Sequence, residues 1–244
     1  MNIKRNGIDS SSQETKKDYL DVFYTNSMRP PSNYPQKLAT HLRDNFICKT
    51  GKLVDLGCGR GDMLRAFDSA GYDVCGTDLS PSAKKNCAPH PVEIIDLETN
   101  KTGLMPGSFD VVFSKSVIEH LQDPIPFLEN ARELLNEEGK AIFMTPSWIH
   151  HGWGPFYLDH THVTPFTKPS LRDAMILAGY KDIKVTYFYQ LPSIWKFPFL
   201  KFFAKFIAFL PLRYRPMYDS FWTEGFNKYI RFSNEVMLIA TASR

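Results

Sequence analysis

The architecture of this chain is predicted by one run, Leu53-Val54-Asp55-Leu56-Gly57-Cys58-Gly59-Arg60-Gly61. Its first four residues form a short β-like segment, and a helix-like pattern begins at Met63, after the glycines. A strand, a tight glycine turn and a helix in this order are typical of an open α/β sheet, where a nucleotide-like ligand lies outside the carboxyl end of the strand. Glycine suits this turn because it reaches unusual backbone angles and has no Cβ to obstruct a ligand.

The glycine spacing differs from that of the dinucleotide fingerprint G-x-G-x-x-G, whose helix N-terminus faces a pyrophosphate. The third glycine, Gly61, comes one place early, and Asp55 precedes the first glycine by two residues. A carboxylate there suits a cationic ligand better than a diphosphate, because like charges repel. A second predicted strand ends at Asp78, about 20 residues downstream, where an acid can accept hydrogen bonds from ribose hydroxyls. These features predict a cationic nucleoside such as S-adenosylmethionine.

At these positions the chain resembles the class I S-adenosylmethionine-dependent methyltransferases, small-molecule and glycan O-methyltransferases among them. The similar segments are the first motif at Val54–Gly61, the second-strand motif at Gly76–Ser80, the third-strand end at Ile95–Leu97, the fourth strand with its active-site loop at Phe109–Leu121, and the turn before strand five at Leu134–Lys140. The resemblance is specific for the superfamily and says little about the substrate.

The resemblance implies a Rossmann-like, doubly wound α/β fold with a mostly parallel sheet of strand order 3-2-1-4-5-7-6, strand seven antiparallel, and helices on both faces. Alternating β and α patterns along the chain predict the same class. Predicted strands lie near residues 52–56, 73–77, 92–96, 109–113, 140–145, 183–189 and 235–241, and predicted helices near 36–46, 60–70, 81–87, 124–135 and 169–178.

Composition bounds the domain organisation and the partners. With 244 residues and 43% hydrophobic content, we predict one methyltransferase domain over residues 1–244, with an N-terminal helical cap at about 19–46 and an aromatic amphipathic insertion at about 190–232. The net charge of +3 argues against a nucleic-acid partner. The four cysteines show no metal-binding spacing, and no signal peptide or membrane-spanning run is visible, so we expect a cytoplasmic protein.

The resemblance assigns cofactor binding to residues at the strand ends. They are Asp55, Gly57, Cys58, Gly59, Asp78, Leu79, Asp96, Leu97 and Ser114. Asp78 would hold the ribose and Asp96 would face the adenine amino group. Tyr24 and Arg29 are further candidates to close the cofactor site from the N-terminal side.

Histidines after strands four and five are the candidate catalytic groups. Methyl transfer from a sulfonium is an in-line displacement, so the enzyme mainly aligns the acceptor and excludes water. A sugar or phenol hydroxyl must also lose its proton, which a positioned histidine can take. We predict that His162 and His120 are catalytic and rank His160 below them, although each could instead pack locally or lie on the surface. The segment Trp148–Pro155, which contains His150 and His151, is expected to cover the acceptor site or to be a surface connection.

The residues after strand four could also form a metal site. The ubiquinone-pathway O-methyltransferases and the plant small-RNA 2′-O-methyltransferases look similar here, with Glu-x-x-Glu-His after strand four and a later histidine. Ser116 replaces the first of those acids. We therefore predict no metal, and Glu119, His120 and His162 are the candidate ligands if one is needed.

An unusual segment precedes the last strand. Apolar residues recur there at helical spacing, namely Phe199, Phe202, Phe203, Phe206, Ile207 and Leu210, with Lys201 and Lys205 on the narrow polar side. One interpretation of residues 197–210 is a lid packed on the domain, or a dimer face. The other is an in-plane contact with the inner face of the cytoplasmic membrane, to which Lys196, Arg213, Arg215, Trp195 and Trp222 would contribute.

The function predicted from these residues is S-adenosylmethionine-dependent O-methylation of a small-molecule or glycan hydroxyl, a lipid-linked surface polysaccharide included. The alternatives are a quinone- or lipid-pathway methyltransferase and a non-catalytic module that binds the cofactor. A nicotinamide-dependent oxidoreductase is disfavoured because Asp62 stands where its fingerprint has the third glycine. A nucleic-acid methyltransferase acting on exocyclic amines is disfavoured because Ser114–Val117 is not the loop that such enzymes carry after strand four.

Overall fold

A computed structural model describes residues 18–23, 25, 30–48, 50–99, 101–151, 156–210 and 226–244. Within these ranges, seven strands form one sheet of order β3-β2-β1-β4-β5-β7-β6. β1 to β5 run parallel, and β7 runs antiparallel to both β5 and β6. The predicted strand order and the antiparallel β7 are confirmed.

The strands and helices follow the predicted alternation. The strands are β1 Gly51–Leu56, β2 Tyr72–Asp78, β3 Val92–Ile94, β4 Phe109–Lys115, β5 Leu135–Pro146, β6 Lys181–Phe188 and β7 Met237–Ser243. The helices are α1 Tyr19–Phe23, α2 Tyr34–Asn45, α3 Asp62–Ser69, α4 Pro81–Asn86, α5 Pro124–Leu134, α6 Trp148–His151, α7 Lys168–Leu177, α8 Pro192–Lys196, α9 Leu200–Phe209 and α10 Phe226–Asn234. β3 ends two residues earlier than predicted, so Ile95 and Asp96 lie beyond the strand.

Helix ends carry the capping groups that the sequence indicated. The Asp123 carboxylate accepts from the Ile125 amide at the start of α5. Thr167 and Ser170 form a reciprocal capping box at the start of α7, and Gly179 takes a positive φ of 84° just past its end. These caps satisfy backbone groups that a helix terminus leaves without partners.

Alternate residues of the central strands supply two cores on opposite faces of the sheet. Leu53 and Val111 pack with α2 and α3, whereas Val54 and Val112 pack with α5 and α7. A strand covered on both faces is apolar along most of its length, which explains the neighbouring apolar residues Leu53-Val54 and Val111-Val112. Both faces of the sheet are therefore covered, and the carboxyl ends of the parallel strands are where a ligand can bind.

The insertion between β6 and β7 contains α8, α9 and α10 among its described residues. α9 begins at Leu200, one residue after the predicted Phe199, and ends at Phe209. None of the described helices is long and apolar enough to cross a membrane. Tyr24, Arg29, the segment 152–155 and the residues 211–225, which include Arg213, Arg215 and Trp222, lie outside the described residues.

Candidate active site

The glycine turn after β1 is tied to the end of β2 by its backbone. The amides of Gly57 and Cys58 both donate to the Thr77 carbonyl, at 2.8 and 2.9 Å. Gly57 and Gly59 have φ angles of 85° and 54°, a region that a residue with a Cβ rarely adopts. A Cβ on Gly57 would also collide with the side chain of Val117, in the loop after β4. The turn therefore depends on glycine for conformation and for close approach.

Asp78 lies at the end of β2, 2% exposed, as the predicted ribose ligand. Its Oδ2 accepts from the Gly59 amide at 2.7 Å, and its Oδ1 accepts from the Ser80 amide at 2.9 Å. The Tyr19 hydroxyl also donates to Oδ1, at 2.8 Å. The carboxylate is thus aimed across the glycine turn, and a tyrosine of α1 bonds to the side chain that is predicted to hold the ribose.

Helix α1 lies across the turn. Leu20 is 3% exposed, and its side chain is the nearest atom group to the face of Gly59. Asp18 fastens the start of this segment, because its carboxylate accepts from the Ser80 hydroxyl at 2.5 Å and from the Ser82 amide at 3.2 Å. Sequence reasoning missed Tyr19 and Asp18, since a polar N-terminal stretch with scattered aromatics carries no motif.

Asp55 is a buried acid beside this turn. Burial, and then the nearby charge of Asp78, raise the pKa of the Asp55 carboxyl to about 8, although Lys115 opposes the shift. Like charges close together in a low dielectric favour a cation between them or a proton on one of them. This arrangement is consistent with the predicted preference for a cationic ligand.

The other predicted cofactor residues lie along the same edge. Leu79 is 61% exposed beside Asp78, and the Ile95 amide donates to the Asp78 carbonyl, which brings the chain after β3 to this point. Asp96 accepts from the Glu98 amide, and Leu97 is buried in the core.

Two predicted residues use their side chains internally. The Ser114 hydroxyl donates to the Leu56 carbonyl at 2.8 Å, which joins β4 to the end of β1. Cys58 is buried, with its sulfur 3.7 Å from that of Cys87 and against Gly76, where a Cβ would meet it at 2.7 Å. The Cys58 thiol is therefore turned into the protein interior.

Glu119 follows β4 in a short 3-10 turn and is completely buried. Its Oε2 accepts from the Thr145 hydroxyl of β5 at 2.9 Å, whereas Oε1 has no hydrogen-bond partner among the described residues. Burial raises the pKa of this carboxyl to about 7. A buried, unpartnered oxygen is costly, and such a group calls for an explanation in function or in an unseen ligand.

The hydrogen bonds of the two predicted catalytic histidines define which ring nitrogen is free. His162 Nδ1 lies 2.6 Å from the Phe156 carbonyl, which can only accept, so Nδ1 carries the proton. His120 Nδ1 lies 2.8 Å from the Thr161 hydroxyl, whose own proton goes to Asp159 at 2.6 Å, so this Nδ1 also donates. In their neutral forms both rings therefore expose an unprotonated Nε2.

The two rings and the buried acid converge. The ring centroids of His120 and His162 are 4.7 Å apart, and His162 Nε2 lies 4.0 Å from Glu119 Oε1. Burial, and then the neighbouring His162, lower the pKa of His120, which favours the neutral ring. One candidate ligand atom from each of the three residues lies within 4.8 Å of the others. We expected no metal, yet two imidazoles and a carboxylate are a donor set that divalent transition metals accept, and the unpartnered Glu119 oxygen fits it.

The cluster lies next to the cofactor turn. Val117, two residues before Glu119, contacts Gly57, and Lys115 is close enough to influence both Asp55 and Glu119. The Glu119 carbonyl accepts from the amides of Val163 and Thr164, which holds the histidine-bearing segment over β4. The loops after β4 and β5 thus meet at this edge.

The remaining histidines lie outside this cluster. His160 is exposed, two residues before His162. His150 and His151 belong to α6, where His151 is buried with Nδ1 3.1 Å from the Ser147 carbonyl, and burial lowers its pKa to about 4. Thr145, Thr161 and Asp159, which orient the cluster, were missed because single hydroxyls and acids in loops have no sequence signal.

Comparison with known proteins identifies the family. A model of the methyltransferase domain matches residues 30–185, more than half of the chain. The chain belongs to the methyltransferases. Together with the sheet order, this match makes it a class I S-adenosylmethionine-dependent methyltransferase, and S-adenosylmethionine is the cofactor of the family.

Solved structures of other methyltransferases share the fold. A SAM-dependent methyltransferase from Archaeoglobus fulgidus is 19% identical and matches with a TM-score of 0.62 over 93% of this chain and 100% of its own. Phosphoethanolamine N-methyltransferase 2 of Haemonchus contortus, with S-adenosyl-L-methionine, is 21% identical and matches with a TM-score of 0.59 over 93% of this chain and 56% of its own.

Among curated proteins, the methyltransferase resembles the ubiquinone biosynthesis O-methyltransferase of Haemophilus ducreyi. The two are 28% identical over 128 residues, which cover 46% of this chain and 54% of the relative. The chain thus spans about half the length of the curated relatives that it matches.

Proposed function

We propose that this protein transfers the methyl group of S-adenosylmethionine to a hydroxyl oxygen of a small-molecule or glycan acceptor. In this reaction the sulfur–methyl bond breaks, an oxygen–methyl bond forms, the acceptor proton passes to a base, and S-adenosylhomocysteine leaves. The observation that carries the proposal is the cluster of Glu119, His120 and His162 beside the glycine turn. Amine acceptors need less help, so a built basic cluster favours oxygen.

His162 is the base that the contacts favour. Its Nδ1 donates to the Phe156 carbonyl, so in the neutral ring Nε2 is the nitrogen that can accept a proton, and it is directed away from Phe156. The side chain is 13% exposed, so an acceptor can reach it while most water is excluded. A hydroxyl between Nε2 and the cofactor methyl would lose its proton as the new bond forms.

The same three residues offer a second way to activate the acceptor hydroxyl. Glu119, His120 and His162 would be the ligands of a divalent ion, with the free Nε2 atoms and Glu119 Oε1 as donors. Such an ion would supply Lewis-acid chemistry, polarising an acceptor hydroxyl bound to it. Thr145, Thr161 and the Phe156 carbonyl would then orient its ligands.

A phenolic acceptor of the quinone pathway is the second candidate. It is supported by the relatives named ubiquinone biosynthesis O-methyltransferase, although the matches span about half of their length. Catechol-type phenols and sugar hydroxyls make the same demand on a base, so the cluster serves either acceptor.

The test is a transfer assay with methyl-labelled S-adenosylmethionine. Catechol-type phenols with an apolar tail, free glycans and lipid-linked glycans are offered separately, each with and without EDTA followed by Mg²⁺ or Zn²⁺. We expect one class to be labelled as a methyl ether, identified by NMR. Labelled amines would contradict the oxygen assignment, and tight cofactor binding without transfer to any class would identify a non-catalytic binding module. Loss of activity in EDTA that an added ion restores would assign the metal.

A further inference from the structure

Helix α9 carries a row of exposed aromatic side chains. Its outward side is formed by four phenylalanines, called here the phenylalanine face: Phe202, Phe203, Phe206 and Phe209, which are 75, 62, 61 and 86% exposed. The opposite side packs inward through Ala204, which is 4% exposed, in a cluster with Ile194 and Val236. The sequence left open whether the aromatic side faces the domain, and in the described residues it faces outward.

Such a face is unusual for a protein surrounded by water. Residues three, four and seven apart lie on one side of a helix, so these four rings are neighbours. Each phenylalanine carries a large apolar surface, and contiguous apolar patches of this kind mark sites of interaction. Scattered single apolar residues would not need this explanation.

The charges beside the face select the kind of partner. Leu200–Phe209 contains no acidic residue, and its two charged residues, Lys201 and Lys205, are both exposed. At 100° per residue these lysines, four apart, form a row along one border of the phenylalanine face. Lysines that border an inserted apolar face can keep their ammonium groups among lipid headgroups while their stems remain in the apolar layer.

We propose that α9 lies in the plane of an anionic lipid surface, with the phenylalanine face inserted and Lys201 and Lys205 among the headgroups. The helix has ten residues, which suits an in-plane contact and is far too short for a span. Protein interfaces also contain aromatic residues but are depleted in lysine, whereas an anionic lipid surface accepts both the apolar area and the two lysines that border it. The inference does not depend on the identity of the acceptor.

The position of α9 connects this surface with the candidate site. Val236, in the cluster beneath α9, accepts through its carbonyl from the Ser147 amide at the start of α6. The charge of Lys205, after burial, contributes to a lowered pKa of His150 in α6. A lipid surface held by α9 would therefore lie beside the segment that follows β5, where an acceptor with an apolar tail can approach.

Vesicle flotation of the full chain tests the proposal. The vesicles are pure phosphatidylcholine or contain about one third phosphatidylglycerol, and the variants are Phe202→Ser with Phe206→Ser, and Lys201→Glu with Lys205→Glu. Leu177→Ser is the matched control, because Leu177 is an exposed apolar residue on a different helix, α7. Because these side chains are exposed, the folded state should tolerate the changes, and circular dichroism verifies it.

We expect the unchanged protein to float with the anionic vesicles and to bind pure phosphatidylcholine more weakly. The double serine variant should bind about tenfold less or weaker still, the charge reversal should abolish the preference for anionic lipid, and Leu177→Ser should leave binding unchanged. Three results would overturn the proposal: no flotation of the unchanged protein, equal flotation of the serine variant, or a dimer in sedimentation analysis that the serine variant converts to a monomer while vesicle binding is unaffected.

Discussion

The two ends of the candidate site are built in different ways. At the cofactor end, the consecutive amides of Gly57, Cys58 and Gly59 in one glycine turn bond to groups at the end of the neighbouring strand β2. The acceptor end consists of side chains brought together from distant positions, since Glu119 bonds Thr145, 26 residues away, and His120 bonds Thr161, 41 residues away. The cofactor end can therefore be recognised from a sequence motif, whereas the acceptor end forms only when the whole domain folds.

This difference predicts that each end can be damaged separately. Backbone turns bind a cofactor that all family members share, whereas side-chain clusters can change with the acceptor. Substitutions at the acceptor end should lower turnover and leave cofactor affinity intact, and those at the cofactor end should do the reverse.

The largest expected effect follows from His162→Ala. Loss of the unprotonated Nε2 beside the acceptor should lower kcat by about a hundredfold to ten-thousandfold, the usual contribution of general acid–base catalysis. Cofactor affinity, measured by calorimetry with S-adenosylhomocysteine, should change less than twofold. A larger change would require the loss of about one hydrogen bond to the cofactor, and His162 is expected to make none. His160→Ala, which alters an exposed histidine two residues away, is the matched control.

Two outcomes would contradict this separation. Normal turnover in His162→Ala would remove the residue from the catalytic list. A loss of cofactor affinity as large as the loss of turnover would mean that the two ends are not independent. His160→Ala should be normal in both measurements.

The second effect is expected at Asp78. Asp78→Ala removes a charged acceptor of hydrogen bonds, so cofactor affinity should fall roughly tenfold to a hundredfold. Asp78→Asn retains one acceptor oxygen, so its cofactor affinity should lie between those of the unchanged protein and Asp78→Ala. Asp73→Ala, on the exposed side of the same strand, should have normal affinity. Calorimetry measures affinity and a melting curve monitors the fold. An unchanged affinity in a folded Asp78→Ala protein would refute the ribose role.

The caps and the glycine turn could be predicted because their causes are local, whereas the sheet order is implied by the family resemblance. Gly57 and Gly59 are required by backbone angles, and Asp78 by its place at a strand end, both of which leave a mark in the sequence. The histidines could be proposed as candidates from their positions after β4 and β5. Their orientation could not, because the Phe156 carbonyl and the Thr161 hydroxyl that determine it are tertiary partners.

The direction of α9 shows a second limit of prediction. Helical spacing of Phe202, Phe203 and Phe206 predicts a helix with an apolar side, but spacing does not say whether that side faces the core. A smaller set on the other side, with Ala204 at its centre, is what packs inward. Tyr19 illustrates the same limit, since its contact with Asp78 joins residues 59 apart.

The third prediction concerns the buried acid of the cofactor end. The folded-state pKa of Asp55 is about 8, well above its unfolded value, so the folded state holds this proton more tightly. The acid therefore lowers the free energy of unfolding progressively as the pH rises from about 4 to about 8, by up to about 1.4 kcal/mol per unit. Asp55→Asn should remove that loss.

Urea unfolding at pH 5 and pH 8 measures the effect. The free energy of unfolding of Asp55→Asn, relative to the unchanged protein, should be higher at pH 8 than at pH 5 by about 1 kcal/mol or more. Asp73→Asn, with an exposed side chain, is the control and should change little between the two values. Equal pH dependence in Asp55→Asn and the unchanged protein would show that Asp55 does not hold a proton in the folded state.

The smallest effect tests a long-range side-chain contact at the cofactor end. The Tyr19 hydroxyl donates to Asp78 Oδ1, an oxygen of the carboxylate that is predicted to bind the ribose. Tyr19→Phe removes that competitor while keeping the ring, so S-adenosylhomocysteine should bind about twofold to tenfold more tightly, as expected for one net hydrogen bond. Tyr229→Phe, a half-exposed tyrosine on α10, is the control.

Weaker binding in Tyr19→Phe would carry a different meaning. It would indicate that the hydroxyl remains beside the ribose and donates to the cofactor, so that α1 completes the binding site after the cofactor enters. The cofactor end would then depend on a contact between two residues 59 positions apart in sequence, as the acceptor end depends on Thr145 and Thr161. In that case the contrast between a local and an assembled half would hold for the glycine turn and fail for the ribose.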